Sequence, residues 1–198
     1  LWQLALMLLG SMPELRIAPN AISYNAAISA SEKCGHWQLA LALLGSMPEL
    51  QAAPDVFSCS AAISACETNA EWQAAIALLA SMPRMRVSPD IMSYSAAISA
   101  CAKAVQWRLA LALLSAMPRA RVTPDVISYN AAISACEKAE QWHFALLLLS
   151  SMPRLRIAPS TVSCNSAISA CDKSAEWQLA LALFSSMPRM KVAPDGIS

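Results

Sequence analysis

Apolar and polar positions define two kinds of segment that follow one another along the chain. The first kind mixes small and aliphatic residues, as in VISYNAAISACEK at 126–138, where Ile127, Ala131 and Ala135 return at helical spacing. The second kind is apolar nearly all round, as in WHFALLLLSSM at 142–152. This pattern predicts pairs of α-helices of about 11–13 residues, or about 16–20 Å, each pair joined by a short polar turn.

Tryptophan and proline mark the same positions at a constant interval of 35 residues, without a single gap. A tryptophan opens each apolar segment, one proline follows it, and a second proline closes the linker to the next pair. The series are Trp2, Trp37, Trp72, Trp107, Trp142 and Trp177; Pro13, Pro48, Pro83, Pro118, Pro153 and Pro188; and Pro19, Pro54, Pro89, Pro124, Pro159 and Pro194. Because proline cannot continue a helical hydrogen-bond ladder, we expect the second helix to end before it.

Neither helix is expected to be stable alone, because the second is apolar on nearly every side. Stacking the pairs would bury both helices in a continuous core, which predicts an all-α solenoid of 35-residue helix-turn-helix repeats. We expect five complete units at 21–55, 56–90, 91–125, 126–160 and 161–195. Residues 1–20 are then the end of an earlier unit and 196–198 the start of a further one, as in a segment of a longer array.

Composition and charge narrow the classes of partner. The chain is 57% hydrophobic and 14% charged, but its uninterrupted apolar runs fall well short of the roughly 20 residues that a membrane span needs, so no membrane partner is expected. Residues 1–79 carry two basic and six acidic side chains, whereas 80–198 carry twelve basic and seven acidic ones. The second half is therefore the better candidate for an anionic partner. No targeting segment is visible.

The unit resembles the pentatricopeptide repeat (PPR) family across the whole chain. PDVISYN at 124–130 is similar to that family's junction between units, and ALLLLSSM at 145–152 is similar to its second helix. The resemblance implies a right-handed superhelix whose first helices line the concave face. It also implies a cofactor-free, non-enzymatic adaptor that binds single-stranded RNA, one base per unit, in RNA processing, stability, editing or translation. Such proteins act mostly in mitochondria and chloroplasts, with a processing enzyme as a partner in trans.

The same resemblance assigns roles to three positions of each unit. The fifth and last residues together select the base, and the second residue wedges beside it. The base-selecting pairs are Asn25 with Asp55, Ser60 with Asp90, Ser95 with Asp125, Asn130 with Ser160, and Asn165 with Asp195; the wedge residues are Ile22, Phe57, Met92, Ile127 and Val162. In the family, Asn with Asp favours U, Ser with Asp leans to G and Asn with Ser leans to C. The implied RNA is 5′-UGGCU-3′, parallel to the protein.

Two of these assignments have structural alternatives. Asp, Asn and Ser before a helix are also good helix caps, so the selecting positions could serve capping alone. Lys33, Lys103, Lys138 and Lys173 recur near the end of the first helix, with Thr68 in the second unit. The family resemblance favours phosphate contacts for these lysines, but a lysine there also suits the helix dipole.

Other repeated residues favour structural roles. Pairs such as Arg119 and Arg121 lie in the linkers, where we expect a solvated edge rather than RNA contact. The tryptophans are expected to pack at the corner between helices. Seven cysteines without a CxxC pair indicate small core residues in a reducing compartment and no metal site. No arrangement of residues typical of catalysis is present.

The chain departs from the family pattern in the linker. Proline always follows the methionine near the end of the second helix, and Arg, Gln or Lys replaces the family's glycine three residues after that proline. The predicted groove is also less basic than is usual for a strong RNA binder. Two further hypotheses therefore stay open: a helical scaffold that binds a protein or peptide on its concave face, and an array with little selectivity.

Overall fold

A computed structural model describes residues 2–12, 17, 19–48, 51–190 and 192–193, and the regular elements within these ranges are all helical. The first helices of the pairs are α2 (Ala21–Lys33), α4 (Val56–Thr68), α6 (Ile91–Lys103), α8 (Val126–Lys138) and α10 (Thr161–Lys173). The second helices are α1 (Trp2–Ser11), α3 (Trp37–Ser46), α5 (Trp72–Ser81), α7 (Trp107–Ala116), α9 (Trp142–Ser151) and α11 (Trp177–Ser186). The predicted all-α fold of repeated helix pairs is confirmed.

Each first helix begins after a residue that caps it. Asp55 accepts a hydrogen bond from the backbone N–H of Ser58 at 2.8 Å, and the Ser58 hydroxyl accepts one from the backbone N–H of Asp55 at 2.9 Å. This reciprocal pair satisfies two N–H groups that a helix start leaves without an intrahelical partner. The same arrangement recurs at Asp90, Asp125 and Ser160. The capping role considered above is therefore observed.

The turn between the two helices of a pair passes through one left-handed residue. The residues there are Gly35, Ala70, Val105, Glu140 and Ala175, with φ of 71°, 58°, 58°, 57° and 59°. Glycine adopts this backbone without strain, whereas a β-branched side chain is rarely found in it. Val105 is thus the most strained member of the series.

The prolines after Met82, Met117, Met152 and Met187 each lie at the start of a short 3₁₀ turn. In the fourth pair α9 ends at Ser151, Pro153–Leu155 forms the 3₁₀ turn, and Arg156 follows with φ of 60°. The Ile157 N–H then bonds to the Met152 carbonyl at 2.9 Å, which closes the helix end. The expectation that proline ends the second helix is correct to within a residue. The expected linker, however, begins as a helical turn.

The chain divides into two compact units, Leu1–Ala100 and Cys101–Ser198. In the first, α2 packs against α1, α3 and α4; in the second, α8 packs against α7, α9 and α10. Small residues allow the first helices to approach closely, since Ala62, Ala132 and Ala167 are fully buried. No helix in the described part of the chain is long and apolar enough to cross a membrane.

Candidate nucleic-acid interface

In the first, second and fourth repeats the fifth residue hydrogen-bonds to the last residue of the same repeat, which caps the following helix. Asn25 Nδ2 donates to Asp55 Oδ2 at 3.0 Å, and Ser60 Oγ donates to Asp90 Oδ1 at 3.3 Å. In the fourth repeat Asn130 Nδ2 donates to Ser160 Oγ at 3.1 Å. The two residues of each of these pairs, 30 positions apart in sequence, therefore form one polar unit at the start of a first helix.

Asp55 serves the pair and the cap with different atoms. Its Oδ1 accepts from Ser58 and its Oδ2 from Asn25. Although burial acts to raise it, the hydrogen bonds from Ser58, Asn25 and Phe57 hold the pKa of Asp55 below its usual value. Ser160 has a single oxygen for both tasks, and the Ser163 hydroxyl adds a short hydrogen bond to Asn130 Oδ1. Capping and pairing are thus compatible.

Two selecting side chains keep an unused polar atom. Asn25 Oδ1 and Ser95 Oγ are buried and have no hydrogen-bond partner among the described residues. A buried polar atom without a partner costs roughly 1–3 kcal/mol, which a ligand with a complementary group would recover. Ser95 is only 5% exposed, so it is the least accessible member of the selecting set. Asp195 lies outside the described residues, as does the expected start of a further repeat at 196–198.

The five wedge residues are large apolar side chains that are exposed at the same position of every complete repeat. Ile22, Phe57, Met92, Ile127 and Val162 are 77%, 55%, 59%, 56% and 58% exposed. Each lies in the first turn of a first helix, three residues before the selecting Asn or Ser. Apolar side chains in this repeated, exposed position offer van der Waals contacts to the face of a planar partner.

A groove of about 400 Å³ in the first compact unit brings the three kinds of position together. Wedge residues Phe57 and Met92 lie on it with the selecting pair Ser60 and Asp90, and Lys33 lines it as well. A volume of this size is within the range of small-molecule sites. The positions assigned to one base therefore share one concave surface.

A ladder of serines and carboxylates links successive first helices, and the sequence analysis did not identify it. Ser99 Oγ donates to Glu67 Oε1 at 2.8 Å, and Ser169 Oγ donates to Glu137 Oε1 at 2.9 Å. Burial raises the pKa of Glu32, which also accepts hydrogen bonds from Ser64 and Ser29. Serine recurs at the 35-residue period in these places, and a carboxylate does so in every repeat except the third, where Ala102 replaces it; that recurrence was the available signal.

The four lysines assigned to phosphate are all exposed at the ends of first helices. Lys173 forms an ion pair with Glu137 of the preceding repeat at 3.0 Å, and Lys103 also has an interaction partner. Carboxylates beside the lysines reduce the positive potential that an RNA backbone would meet.

Two of the repeated tryptophans pack against a ring of the next repeat, whereas Trp177 is 62% exposed. Trp2 packs edge-on against His36 with ring centroids 4.6 Å apart, and Trp107 lies 5.1 Å from Phe144. Cys34 is exposed, whereas the other six cysteines are buried. Burial raises the pKa of Cys101 and Cys136 to about 11. Within the described residues no group of His, Cys, Asp and Glu could hold a metal ion.

Profiles of known families match most of the chain. A profile described as the PPR repeat matches residues 22–51, 92–122 and 127–157. A second, described as the PPR repeat family, matches 54–103. No curated protein sequence matches the chain significantly.

Solved structures with the same fold include pentatricopeptide repeat proteins of maize and Arabidopsis thaliana. The crystal structure of maize PPR10 has a TM-score of 0.77 and 25% identity, over 98% of this chain and 28% of that one. PPR10 in complex with an 18-nt psaJ RNA element has a TM-score of 0.68 and 19% identity, over 98% and 33%. The PPR domain of Arabidopsis protein-only RNase P 1 in complex with tRNA has a TM-score of 0.71 and 11% identity, over 85% and 89%.

These likenesses confirm the α-solenoid fold class predicted from the 35-residue period. The chain covers 28% of the maize PPR10 structure, which is less than a third of its length.

Proposed function

Because the chain belongs to the pentatricopeptide repeat family, we propose that it is an adaptor that binds single-stranded RNA selectively, one base per repeat. The observation that carries the proposal is the recurring combination of an exposed wedge residue with a hydrogen-bonded selecting pair. A base held against the wedge would meet amide or hydroxyl groups, which can donate and accept hydrogen bonds. Maize PPR10 in complex with an RNA element supports the proposal.

The adaptor would act by occupancy in a mitochondrion or chloroplast. It would mask or expose a site on the RNA, or guide a processing enzyme to it in trans. The chain contributes recognition, and an enzymatic step would come from the partner.

The first experiment measures binding to 5′-UGGCU-3′ and to a scrambled RNA of the same composition, over a series of salt concentrations. Tighter binding to UGGCU is expected, with both affinities falling as salt rises. Absence of RNA binding at low salt would exclude the proposal and favour the peptide-binding scaffold. Equal affinity for the two RNAs would instead support the hypothesis of an array with little selectivity.

A reciprocal exchange tests the base-selecting pairs within the same chain. Ser160→Asp gives the fourth repeat the pair that Asn25 and Asp55 form in the first, so its preference should move from C to U. Asp55→Ser should move the first repeat from U to C. Both replacements keep a residue that can cap the next helix, so stability changes should be small.

A double replacement extends the test to a third base. Asn130→Thr with Ser160→Asp should move the fourth preference from C toward G, because in the family Thr with Asp favours G more strongly than Ser with Asp does. Selection experiments with RNA randomised at the first and fourth positions measure all these changes. If the preferences remain at C and U in the variants, the pairs do not select bases even where RNA binds.

A further inference from the structure

A second surface of the molecule lies between α7 and α9, and none of the residues that line it is a base-selecting or wedge residue. It is a cavity of about 580 Å³ within the second compact unit. Leu111, Leu114, Val122, Leu148 and Leu155 provide most of its apolar wall. One leucine of the wall, Leu155, is 57% exposed to solvent. An open apolar cavity of this size at the surface of a chain indicates a binding site.

Linkers 118–124 and 153–159, named here the arginine rim, both supply residues to the cavity wall and contain basic but no acidic side chains. Arg121 lines the cavity directly. Arg119, Arg154 and Arg156 are exposed on the same two linkers, 118–124 and 153–159, and neither linker contains an acidic residue. None of these four guanidinium groups makes an ion pair within the described part of the chain. An acidic partner would therefore meet unneutralised positive charge on these two linkers.

The chemistry of the wall distinguishes a peptide from RNA. Bases need hydrogen-bond partners for their edges or aromatic faces to stack on, and the cavity offers Ser115, Thr123 and one tyrosine that is 6% exposed. A leucine or phenylalanine needs only apolar contact. We propose that this cavity docks a short acidic segment of a protein partner, which inserts a large apolar side chain and places carboxylates on the arginine rim.

The probe for this site is a fluorescent peptide of about ten residues, in which Leu and Phe are flanked by Asp and Glu. Anisotropy should show binding that weakens as salt rises. A second peptide with serine at both apolar positions should bind at least about tenfold more weakly, because it loses the contact with the wall. If the acidic peptide does not bind at low salt, or both peptides bind equally, the proposal is wrong.

Variants on the protein locate the site. Arg121→Glu combined with Arg156→Glu, and separately Leu155→Ser, should each weaken the peptide at least about tenfold. These side chains are exposed, so the fold should tolerate the changes. Arg86→Glu is the matched control, since Arg86 has the same position in its linker and the same left-handed backbone, with φ of 60°. It should leave peptide affinity unchanged.

An RNA arm separates the two classes of anionic partner. The double charge reversal should leave affinity for UGGCU RNA within about twofold, and saturating RNA should not displace the peptide. Displacement by RNA, or an equal loss of RNA affinity in the charge-reversed variant, would show that the arginines bind nucleic acid and would overturn the peptide proposal.

Discussion

At the scale of single residues, Asp55 shows how recognition and stability share one side chain. One carboxylate oxygen caps α4 through Ser58, and the other accepts a hydrogen bond from Asn25. The selecting set therefore cannot be altered without regard to the helix that follows it.

Replacing each member of this pair separates the two roles. Asp55→Ala should lower the free energy of unfolding by about 1–2 kcal/mol, because α4 loses its cap. Asn25→Ala should cost less than about 1 kcal/mol, because the cap remains and the loss of the hydrogen bond to Asp55 is offset by removal of the unpaired, buried Asn25 Oδ1. Both should abolish the preference of the first repeat for its base. Urea denaturation and RNA selection measure the two effects, and equal stability of the variants would argue against the cap.

The buried thiols make stability depend on alkaline pH. Burial raises the pKa of Cys59 and Cys66 to about 11, from an ordinary value of 9.0. A raised pKa keeps the proton on the folded chain, so the stabilisation is complete below pH 9 and is lost as pH rises toward 11. Each such thiol should lower the free energy of unfolding by up to about 1.4 kcal/mol per pH unit in that window.

Two measurements check the prediction about thiols. Below pH 9, a maleimide should label Cys34 rapidly and the six buried cysteines only on unfolding. Cys136→Ser should make the alkaline loss of stability shallower. Serine is tolerated at this position in the first repeat, where the Ser31 hydroxyl donates to the Ala27 carbonyl at 2.8 Å. Rapid labelling of all seven thiols in the folded protein would contradict the burial argument.

At the scale of elements, the turn at Val105 offers a test of backbone strain. Val105→Gly should raise the free energy of unfolding by about 1 kcal/mol, because glycine adopts a φ of 58° without a steric penalty. Val105 is 45% exposed, so little buried contact is lost. Gly35→Val is the reverse control and should cost a similar amount. A Cβ there meets no atom closer than 3.6 Å, so the penalty comes from the backbone. Thermal denaturation of the two variants measures both changes in stability.

The elements themselves were largely predictable from spacing. The segment 126–138 was expected as a first helix and forms α8 with the same bounds. The 3₁₀ turns and left-handed residues were not predicted, because Val105, Glu140 and Arg156 carry no signal for φ near 60°. The hydrogen bonds within the selecting pairs could not be predicted from the sequence either, because the two partners are 30 residues apart. The serine–carboxylate ladder was missed although its period is visible in the sequence.

At the scale of the whole molecule, charge sets the expected strength of RNA binding. The chain has a formal net charge of +1, and carboxylates lie beside lysines along the first helices. If all four repeated lysines contact phosphates, the logarithm of the RNA binding constant should fall with the logarithm of salt concentration with a slope of about −3. Such a slope describes a modest electrostatic contribution, so base contacts and stacking would carry more of the affinity.

One lysine at a time can be tested against this expectation. Lys138→Ala should make the slope about 0.7 less steep, as expected for one phosphate contact on a single strand. Arg154→Ala removes the same charge from a linker and should leave the slope unchanged. Filter binding or anisotropy over a salt series measures both. If the two variants change the slope equally, the lysine is a general charge rather than a phosphate contact.

Because the last residue of a repeat also caps the next helix, few residue types can be used there to change the RNA sequence that the chain binds. The last position of each repeat has to accept a hydrogen bond from a helix N–H, so Asp, Asn, Ser and Thr are compatible with the fold and aliphatic residues are not. Among the described residues the chain uses Asp, Ser and, at Asn20, Asn in this position. A variant with a new base specificity must therefore keep one of these four residue types at the last position. The fifth position tolerates a wider choice of side chains.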